Sequence, residues 1–346
     1  MIRRKRQLLS IVLVGIMMLA SFPFFVFAED VGLDIQQNVE TGAEAPEKEE
    51  TEGEIPEEPE SEPETFAAAS EEEVPTPEEL GYEFDAGKRE ITKYTGTETE
   101  IVIPSEFKVN GEVIPVESIG TDAFSSCTTL NKVTLNEGLK TIGVGAFQGT
   151  AIEEIDIPGS VEIIDEKAFY SCVNLKEATL NEGLKTIGNG TFQGTAIKEI
   201  DIPGSVESIR EKAFYSCINL KEVILNEGLK TISRLAFGST AVEEIDIPGS
   251  IGSIDTSAFY SCTSLKEVTL HEGLKTIGYG AFQGVAIEEI DIPSTIEKIG
   301  SKIFDKAKIQ KITVLNKKEN IDIAEDAFPA EIEVVYKEDE VEPGKP

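Results

Sequence analysis

The sequence contains one histidine and far fewer cations than carboxylates, with 31 Lys and Arg residues against 65 Asp and Glu residues. Nucleophilic triads and most transition-metal sites need a second histidine or a convergent base, so a lone histidine argues against both. Binding to nucleic acid or to an anionic lipid surface needs clustered cations, which a net charge of −34 does not supply. The glycines lie at repeat turns rather than in a strand–loop–helix unit, so no phosphate-binding loop is predicted. These absences indicate a protein that is not an enzyme and has no cofactor.

Residues 1–28 are organised like a secretory signal peptide. Residues 3–6 are all cationic, an apolar stretch begins at Leu8, and the small residue Ala28 precedes an acidic segment. The apolar stretch is nearly long enough to span a bilayer, so an uncleaved anchor is the alternative, but Pro23 and the small residue favour cleavage. No later segment is apolar enough to cross a membrane. We therefore expect an extracellular protein, either secreted or associated with the cell surface.

Residues 29–80 are rich in Glu and Pro and poor in large apolar residues. Such a segment cannot bury enough surface to offset the entropy lost on ordering, and its charges repel one another. A disordered, extended acidic spacer is therefore predicted here. Residues 337–346 return to the same composition and are predicted to be a disordered tail.

Beyond the spacer the sequence repeats itself at a fixed period. Residues 136–180 and 181–225 are identical at 37 of 45 positions, so the unit that was duplicated is a pair of coils. A phenylalanine recurs at spacings of 22 to 24 residues and marks ten coils. These phenylalanines are Phe124, Phe147, Phe169, Phe192, Phe214, Phe237, Phe259, Phe282, Phe304 and Phe328.

Within a coil, buried and exposed positions alternate over a short run. Val268 and Leu270 are predicted to point inward and Thr269 outward, which is the period of a strand with one buried face. Gly273 then supplies a turn, and Phe282 fills the middle of the coil. No coil can bury its apolar side alone, so the coils must stack, with phenylalanine over phenylalanine in one file along a single apolar spine. The predicted fold is a β-rich repeat solenoid over residues 118–336, with about ten coils of 22–23 residues and a parallel β-sheet on one face.

The two ends of such a stack need caps, because an open end exposes core side chains and unpaired strand edges. Residues 81–117 contain short strand-like runs joined by glycine turns and are predicted to form an N-terminal β cap. At the other end, Ile332, Val334 and Tyr336 are predicted to close the last coil.

The recurring pattern combines an Ile-Asp-Ile-Pro run, as at 200–203, with an Ala-Phe-Tyr-Ser-Cys run, as at 168–172. This pattern resembles the BspA-type leucine-rich repeats of bacterial surface proteins over roughly residues 81–336. The resemblance implies a leucine-rich-repeat solenoid in a cell-surface or secreted protein that adheres to host matrix proteins, host cells or other bacteria. No apolar C-terminal sorting segment accompanies it here, so the mode of attachment to a cell is not predicted.

Four cysteines in a secreted chain would ordinarily suggest two disulfides, but the repeat argues otherwise. Cys127, Cys172, Cys217 and Cys262 are 45 residues apart, so neighbours should be two coils, or about 9–10 Å, apart. A disulfide needs Cα atoms within about 7 Å. We therefore expect no disulfides and four reduced, buried thiols that act as small apolar residues. The histidine, His271, occupies a slot that is Asn in the corresponding coils, which indicates drift at a polar turn position.

Alternation places two rows of side chains on the outer surface of the strands, mostly acidic with interspersed threonines. A solvated face that resists sideways sheet association is the simpler interpretation, and a docking surface for a basic partner is the functional one. Calcium bridging between the rows is a minor alternative, because the dense loop spacing of known calcium motifs is absent. The candidate partner-binding residues are Glu154, Asp156, Glu177, Thr179, Glu199, Asp201, Glu222, Glu244, Asp246, Glu267 and Asp291.

A secondary candidate surface is the ladder of Tyr170, Tyr215 and Tyr260, whose rings could stack on sugar or pack on a partner, or simply cover the coil edge. The function predicted from these features is adhesion or binding of an extracellular protein or glycan ligand. The alternative is a passive structural spacer or surface-coat element without a specific ligand. The monotony of the glutamate row favours the passive role, and the large solenoid surface favours binding.

Overall fold

The structure is a computed structural model that describes residues 73–337. The predicted signal peptide, residues 29–72 of the predicted spacer, and residues 338–346 of the predicted tail lie outside the described residues. All described residues belong to the unit Ala69–Pro346. No helix within them is long and apolar enough to span a bilayer.

The repeat folds as a β-solenoid of about ten turns whose outer strands show the predicted alternation. In a typical outer strand, such as Glu199–Ile202, exposed and buried residues follow one another, because the strand has one face on the core. The outer strands are β7 (Lys132–Thr134), β9 (Glu154–Ile157), β11 (Glu177–Leu180), β13 (Glu199–Ile202), β15 (Glu222–Leu225), β17 (Glu244–Ile247), β19 (Glu267–Leu270), β21 (Glu289–Ile292), β23 (Lys311–Val314) and β25 (Glu333–Tyr336).

Each coil also contains a second, two-residue strand. Its second residue is an isoleucine that points into the core. These second strands are β6 (Ser118–Ile119), β8 (Thr141–Ile142), β10 (Ile163–Ile164), β12 (Thr186–Ile187), β14 (Ser208–Ile209), β16 (Thr231–Ile232), β18 (Ser253–Ile254), β20 (Thr276–Ile277), β22 (Lys298–Ile299) and β24 (Asp322–Ile323).

The second strands form the one sheet that runs the length of the solenoid. Five further strands precede the repeats, β1 (Tyr82–Asp85), β2 (Glu90–Tyr94), β3 (Glu100–Val102), β4 (Glu106–Val109) and β5 (Glu112–Pro115). The long sheet begins with β1 and β2 and continues in parallel from β6 through every even-numbered strand to β24. The outer strands instead form shorter parallel ladders, β3-β7-β9-β11, β13-β15, β17-β19 and β21-β23-β25. The predicted parallel sheet is therefore confirmed, but it is accompanied by a second one.

The phenylalanine rings lie in the core of the solenoid and stack on one another from coil to coil. Nine of them, from Phe124 to Phe304, form a continuous file in which neighbouring ring centroids are 4.9 Å to 5.8 Å apart. The nine rings are fully buried, and each buried phenylalanine stabilises the fold by about 1.5–3 kcal/mol in transfer terms. The tenth, Phe328, is only partly buried and makes no ring contact with Phe304, so the expectation of ten rings in file was wrong for the last coil.

Aromatic residues of the N-terminal strands lie over the first ring of this file. Tyr94 stacks on Phe124 with ring centroids 5.3 Å apart, and Tyr82 packs against Phe107 at 5.5 Å. The chain is already ordered before these strands, because the Lys108 amide donates to the Pro75 carbonyl oxygen at 2.9 Å. This hydrogen bond includes Pro75, a residue of the predicted spacer 29–80, in the backbone contacts of the N-terminal strands.

The C-terminal end is less completely buried. Ile332, Val334 and Tyr336 pack against the core but remain partly exposed, and β25 pairs on one side with β23. A short 3-10 helix, Lys318–Asn320, precedes them. The capping role assigned to either end remains a prediction.

Candidate interaction surface

The side chains that point away from the core on the outer strands form two rows, which we call the outer face. The first row is Lys132, Glu154, Glu177, Glu199, Glu222, Glu244, Glu267, Glu289 and Lys311. The second row is Thr134, Asp156, Thr179, Asp201, Ile224, Asp246, Thr269, Asp291 and Thr313. Within each ladder the rows are in register, for example Glu199 opposite Glu222 and Asp201 opposite Ile224. All eleven residues predicted as the partner-binding face are exposed in these rows.

The register sets glutamates directly against glutamates. Glu154 lies opposite Glu177 and Glu244 opposite Glu267, and like charges in opposite positions destabilise a sheet. The lysine just before Glu177 pairs with a glutamate outside the row, because Lys176 Nζ lies 2.9 Å from a carboxylate oxygen of Glu153. Such exposed ion pairs contribute at most about 1 kcal/mol. The face therefore keeps a strong negative potential in spite of its cost to the fold.

A turn residue in the following coil fixes the aspartates of the second row. Asn226 Nδ2 donates to Asp201 Oδ1 at 2.7 Å and to the Ile202 carbonyl oxygen at 3.0 Å. Asn181 holds Asp156 in the same way, at 2.7 Å. Each of these asparagines therefore links its own coil to an aspartate on the strand of the preceding coil.

His271 occupies the equivalent slot, and its Nε2 lies 2.6 Å from Asp246 Oδ1. The residue therefore preserves the contact that Asn181 and Asn226 make. The interpretation of His271 as drift at a polar turn missed this role, although its alignment with the asparagines was the signal that could have revealed it.

The glutamate that follows each of these residues binds backbone amides of the next coil. The carboxylate of Glu182 accepts hydrogen bonds from Gly204 N at 3.1 Å and Ser205 N at 3.0 Å. Glu272 does the same for Ser294 and Thr295, and the cluster of amide and hydroxyl donors lowers its pKa against the opposing effect of burial. These carboxylates hydrogen-bond the turns of adjacent coils, so their role is structural.

Asp201 differs in its surroundings from the aspartates of the other coils. Its in-register neighbour is the apolar Ile224, whereas the neighbour of Asp156 is Thr179. Burial raises the pKa of Asp201, and the hydrogen bond from Asn226 opposes that rise. Asp201 nevertheless remains an exposed residue, like the other aspartates of the row.

A shallow depression of about 340 Å³ lies on the outer face near its N-terminal end. Its charged lining consists of Lys132 and of the carboxylates of Glu137, Glu154, Asp156 and Glu177. Its acidic lining fits a cationic group better than an anionic one.

The structure separates the tyrosines of the secondary candidate surface by their exposure. Tyr260 is 37% exposed, whereas Tyr170 and Tyr215 are half-buried, with the ring of Tyr215 close against Gly238. Tyr279, which the sequence reasoning did not single out, is more exposed than any of them at 45%. Of the three predicted tyrosines, Tyr260 presents the most of its ring, and their role in binding stays a prediction.

Three of the cysteines are buried, and the fourth, Cys127, is half-buried, so the expectation of four buried thiols was wrong for the first coil. The buried thiols are more than small apolar groups. Cys217 Sγ donates to the Phe192 carbonyl oxygen at 3.0 Å and lies 3.3 Å from Thr195 Oγ1. Burial raises the pKa of Cys217 to about 11, which argues against a reactive thiolate.

Within residues 73–337, no group of three or more His, Cys, Asp or Glu side chains has the geometry to hold a metal ion. The aspartates and glutamates of the two rows are strung along the solenoid rather than gathered around a point. Calcium bridging of the rows therefore gains no support from their geometry.

Comparison with known proteins identifies the class of repeat. The model of the family described as "BspA type Leucine rich repeat region" matches this chain over residues 105–217 and 185–311. Six copies of the repeat region are found. The chain therefore belongs to the BspA-type leucine-rich repeat family, whose members are often surface proteins of bacteria. No curated protein sequence matches the chain significantly.

One solved structure supports the fold, and two further ones are similar at lower TM-scores. A leucine-rich repeat protein from Bacteroides ovatus is 26% identical, with a TM-score of 0.64 over 74% of this chain and 69% of that chain. A leucine-rich repeat protein from T. pallidum is 25% identical, with a TM-score of 0.46 over 61% and 88% of the two chains. A leucine-rich cell surface protein from Faecalibacterium prausnitzii is 22% identical, with a TM-score of 0.37 over 75% and 93%.

Proposed function

We propose that this chain is a secreted or cell-surface binding protein, without catalytic activity, that uses its outer face to contact a basic extracellular ligand. The observation that carries the proposal is the pair of in-register rows of exposed side chains on the outer strands, in which Glu and Asp predominate. Charge complementarity of this kind steers a partner of opposite sign and selects against other partners. The signal-like residues 1–28 and membership of the BspA-type family support an extracellular location.

A passive role as a spacer or coat element is the second candidate. The monotony of the first row favours it, since Glu recurs in seven successive coils from Glu154 to Glu289. Charged outer faces also prevent solenoids from associating side by side, and that property would suffice for a coat element. The two candidates differ in whether the outer face has a saturable ligand.

The test is a binding screen of the full chain against immobilised matrix proteins, host-cell surface proteins and glycans. The test variant reverses two charges of the outer face, Glu199→Lys with Glu244→Lys. The matched control, Glu162→Lys with Glu207→Lys, changes the net charge equally at exposed positions beside the second strands. Thermal unfolding of each variant establishes that it is folded.

The proposal predicts saturable binding that falls at least about tenfold in the outer-face variant and stays unchanged in the control, because two favourable charge pairs are replaced by repulsion. Equal loss in both variants would mean that only net charge matters. Complete absence of binding to the panel would favour the passive role.

A further inference from the structure

One slot of the outer face departs from the repeat in a way that the fold does not require. Ile224 occupies a second-row position at which the equivalent coils carry Thr134, Thr179, Thr269 and Thr313. The isoleucine is 45% exposed. Threonine serves the same slot in four other coils, and both residue types suit a strand, so folding alone does not explain the isoleucine.

The surroundings of Ile224 are acidic. Asp201 lies opposite it in the parallel register, and Glu222, two residues earlier on β15, points to the same side and lies opposite Glu199. The next coil presents Asp246 in the same row. The cations nearby are Lys198 and Lys221, which precede the first row, and Lys221 Nζ lies 3.5 Å from a carboxylate oxygen of Glu243.

An apolar side chain at the centre of a charged rim is the arrangement that concentrates binding energy in protein interfaces. The central contact loses its water while the rim stays partly solvated and sets the sign of the partner. At this point Asp201 lies directly beside the isoleucine on the neighbouring strand, so that an acidic group adjoins the apolar one.

We propose that Ile224 is the anchoring contact for a cationic polypeptide, whose large apolar side chain packs on the isoleucine while flanking Lys or Arg side chains meet Glu199, Asp201 and Glu222. This inference rests on the proposed function and names the class of partner. A polypeptide fits better than a neutral glycan, because only the former offers an aliphatic or aromatic side chain between two cations.

The experiment uses the full chain and two lysine-rich synthetic peptides of equal length and charge. One peptide carries a central tryptophan and the other a serine in its place. The test variant is Ile224→Thr, which installs the residue used by the equivalent coils. The matched control is Ile218→Thr, at a loop position that is 69% exposed and that is threonine at Thr128 and Thr263 of equivalent coils. Fluorescence anisotropy measures each affinity.

We expect the wild-type chain and Ile218→Thr to prefer the tryptophan peptide by about tenfold, a difference typical of burying one medium-sized apolar contact. Ile224→Thr should bind the two peptides alike. The inference is overturned if Ile224→Thr keeps the preference, or if the wild-type chain shows none. In both of these cases the proposed function would still stand if the wild-type chain binds the serine peptide and the Glu199→Lys/Glu244→Lys variant does not. Failure of both peptides to bind, including the case in which only a neutral glycan binds, would overturn the inference and the basic partner together.

Discussion

Glycines in the asparagine-containing turns hold a backbone conformation that other residues rarely adopt. Gly228 has φ 134°, and its amide donates to Ser250 Oγ at 3.1 Å. A β-carbon at this position would overlap the carbonyl oxygen of Gly204 in the preceding coil. Gly183 and Gly273 repeat the geometry in their own coils. The close approach of turn to turn explains why the sequence places glycine there, beyond the general preference of turns for glycine.

Replacement of Gly228 should therefore be costly. Gly228→Ala is expected to lower the free energy of unfolding by about 2–4 kcal/mol, because the new methyl group adds both backbone strain and a steric clash. Urea denaturation measures the change. The control is Gly252→Ala, where a β-carbon would meet no atom closer than 3.9 Å and φ is not in the left-handed region. A loss at Gly252 as large as that at Gly228 would contradict the explanation.

The thiols provide a test of burial that depends on pH. Burial raises the pKa of Cys217 and of Cys262 to about 11 from an ordinary value of 9.0, so both stay protonated in the folded protein near pH 8–9. Cys127 is half-buried. A thiol reagent at this pH should therefore label Cys127 first and the remaining cysteines only after unfolding. Mass spectrometry of peptides from briefly labelled protein identifies the site, and equal labelling of Cys127 and Cys217 would contradict the burial.

The same shift has a consequence for stability. A folded-state pKa above the unfolded value means that the unfolded chain loses its thiol protons first as the pH rises. The contribution of Cys217 and Cys262 to stability is therefore complete below about pH 9 and is lost as the pH approaches 11.

At the level of strands and turns, the periodicity of the sequence predicted the outer strands. It did not predict the contacts that form only when coils stack on one another. Alternation identified the outer strands and the residues of both rows, because each strand has one buried face. The second strands are two residues long, as in Thr231–Ile232, and a run this short contains no alternation to detect. Their continuous sheet arises from pairing between coils, which no local pattern reports. The same reason hid the contact between Asn226 and Asp201, since the partners are 25 residues apart.

This turn contact leads to a prediction about two equivalent residues. Asn226→Ala removes the donor to Asp201 and to the Ile202 carbonyl oxygen, and it should cost about 1 kcal/mol because the partners are partly exposed. His271→Asn should change stability by less than about 0.5 kcal/mol, because asparagine makes the same contact in the other coils. Chemical denaturation of the two variants compares them directly. A large loss for His271→Asn would mean that the histidine has a role of its own.

Over the whole of residues 73–337, the fold is a one-dimensional stack in which each coil packs only against its neighbours. The prediction of a single apolar spine holds from Phe124, which Tyr94 covers, to Phe304, which ends the file and, among the described residues, contacts the ring of Phe282 alone. It fails at Phe328, which is only partly buried and lies at the point where the spacing lengthens to 24 residues. The rows of the candidate surface were predictable for the same reason as the spine. The anchoring role proposed for Ile224 was not predictable from the sequence, because it depends on acidic residues in the neighbouring coils.

The contribution of each phenylalanine ring to the free energy of unfolding should depend on its position along the stack. Phe214→Ala opens a cavity between Phe192 and Phe237, whose rings lie 5.3 Å on either side, and it should cost about 3–5 kcal/mol. Phe328→Ala removes a partly buried ring from outside the file, so it should cost less than half as much. Denaturant titration followed by circular dichroism measures both. Because coils contact only their neighbours, the terminal change should also leave the central coils protected from hydrogen exchange, whereas the central change should expose amides on both sides of it. Equal losses for the two variants would contradict a stack that is supported coil by coil.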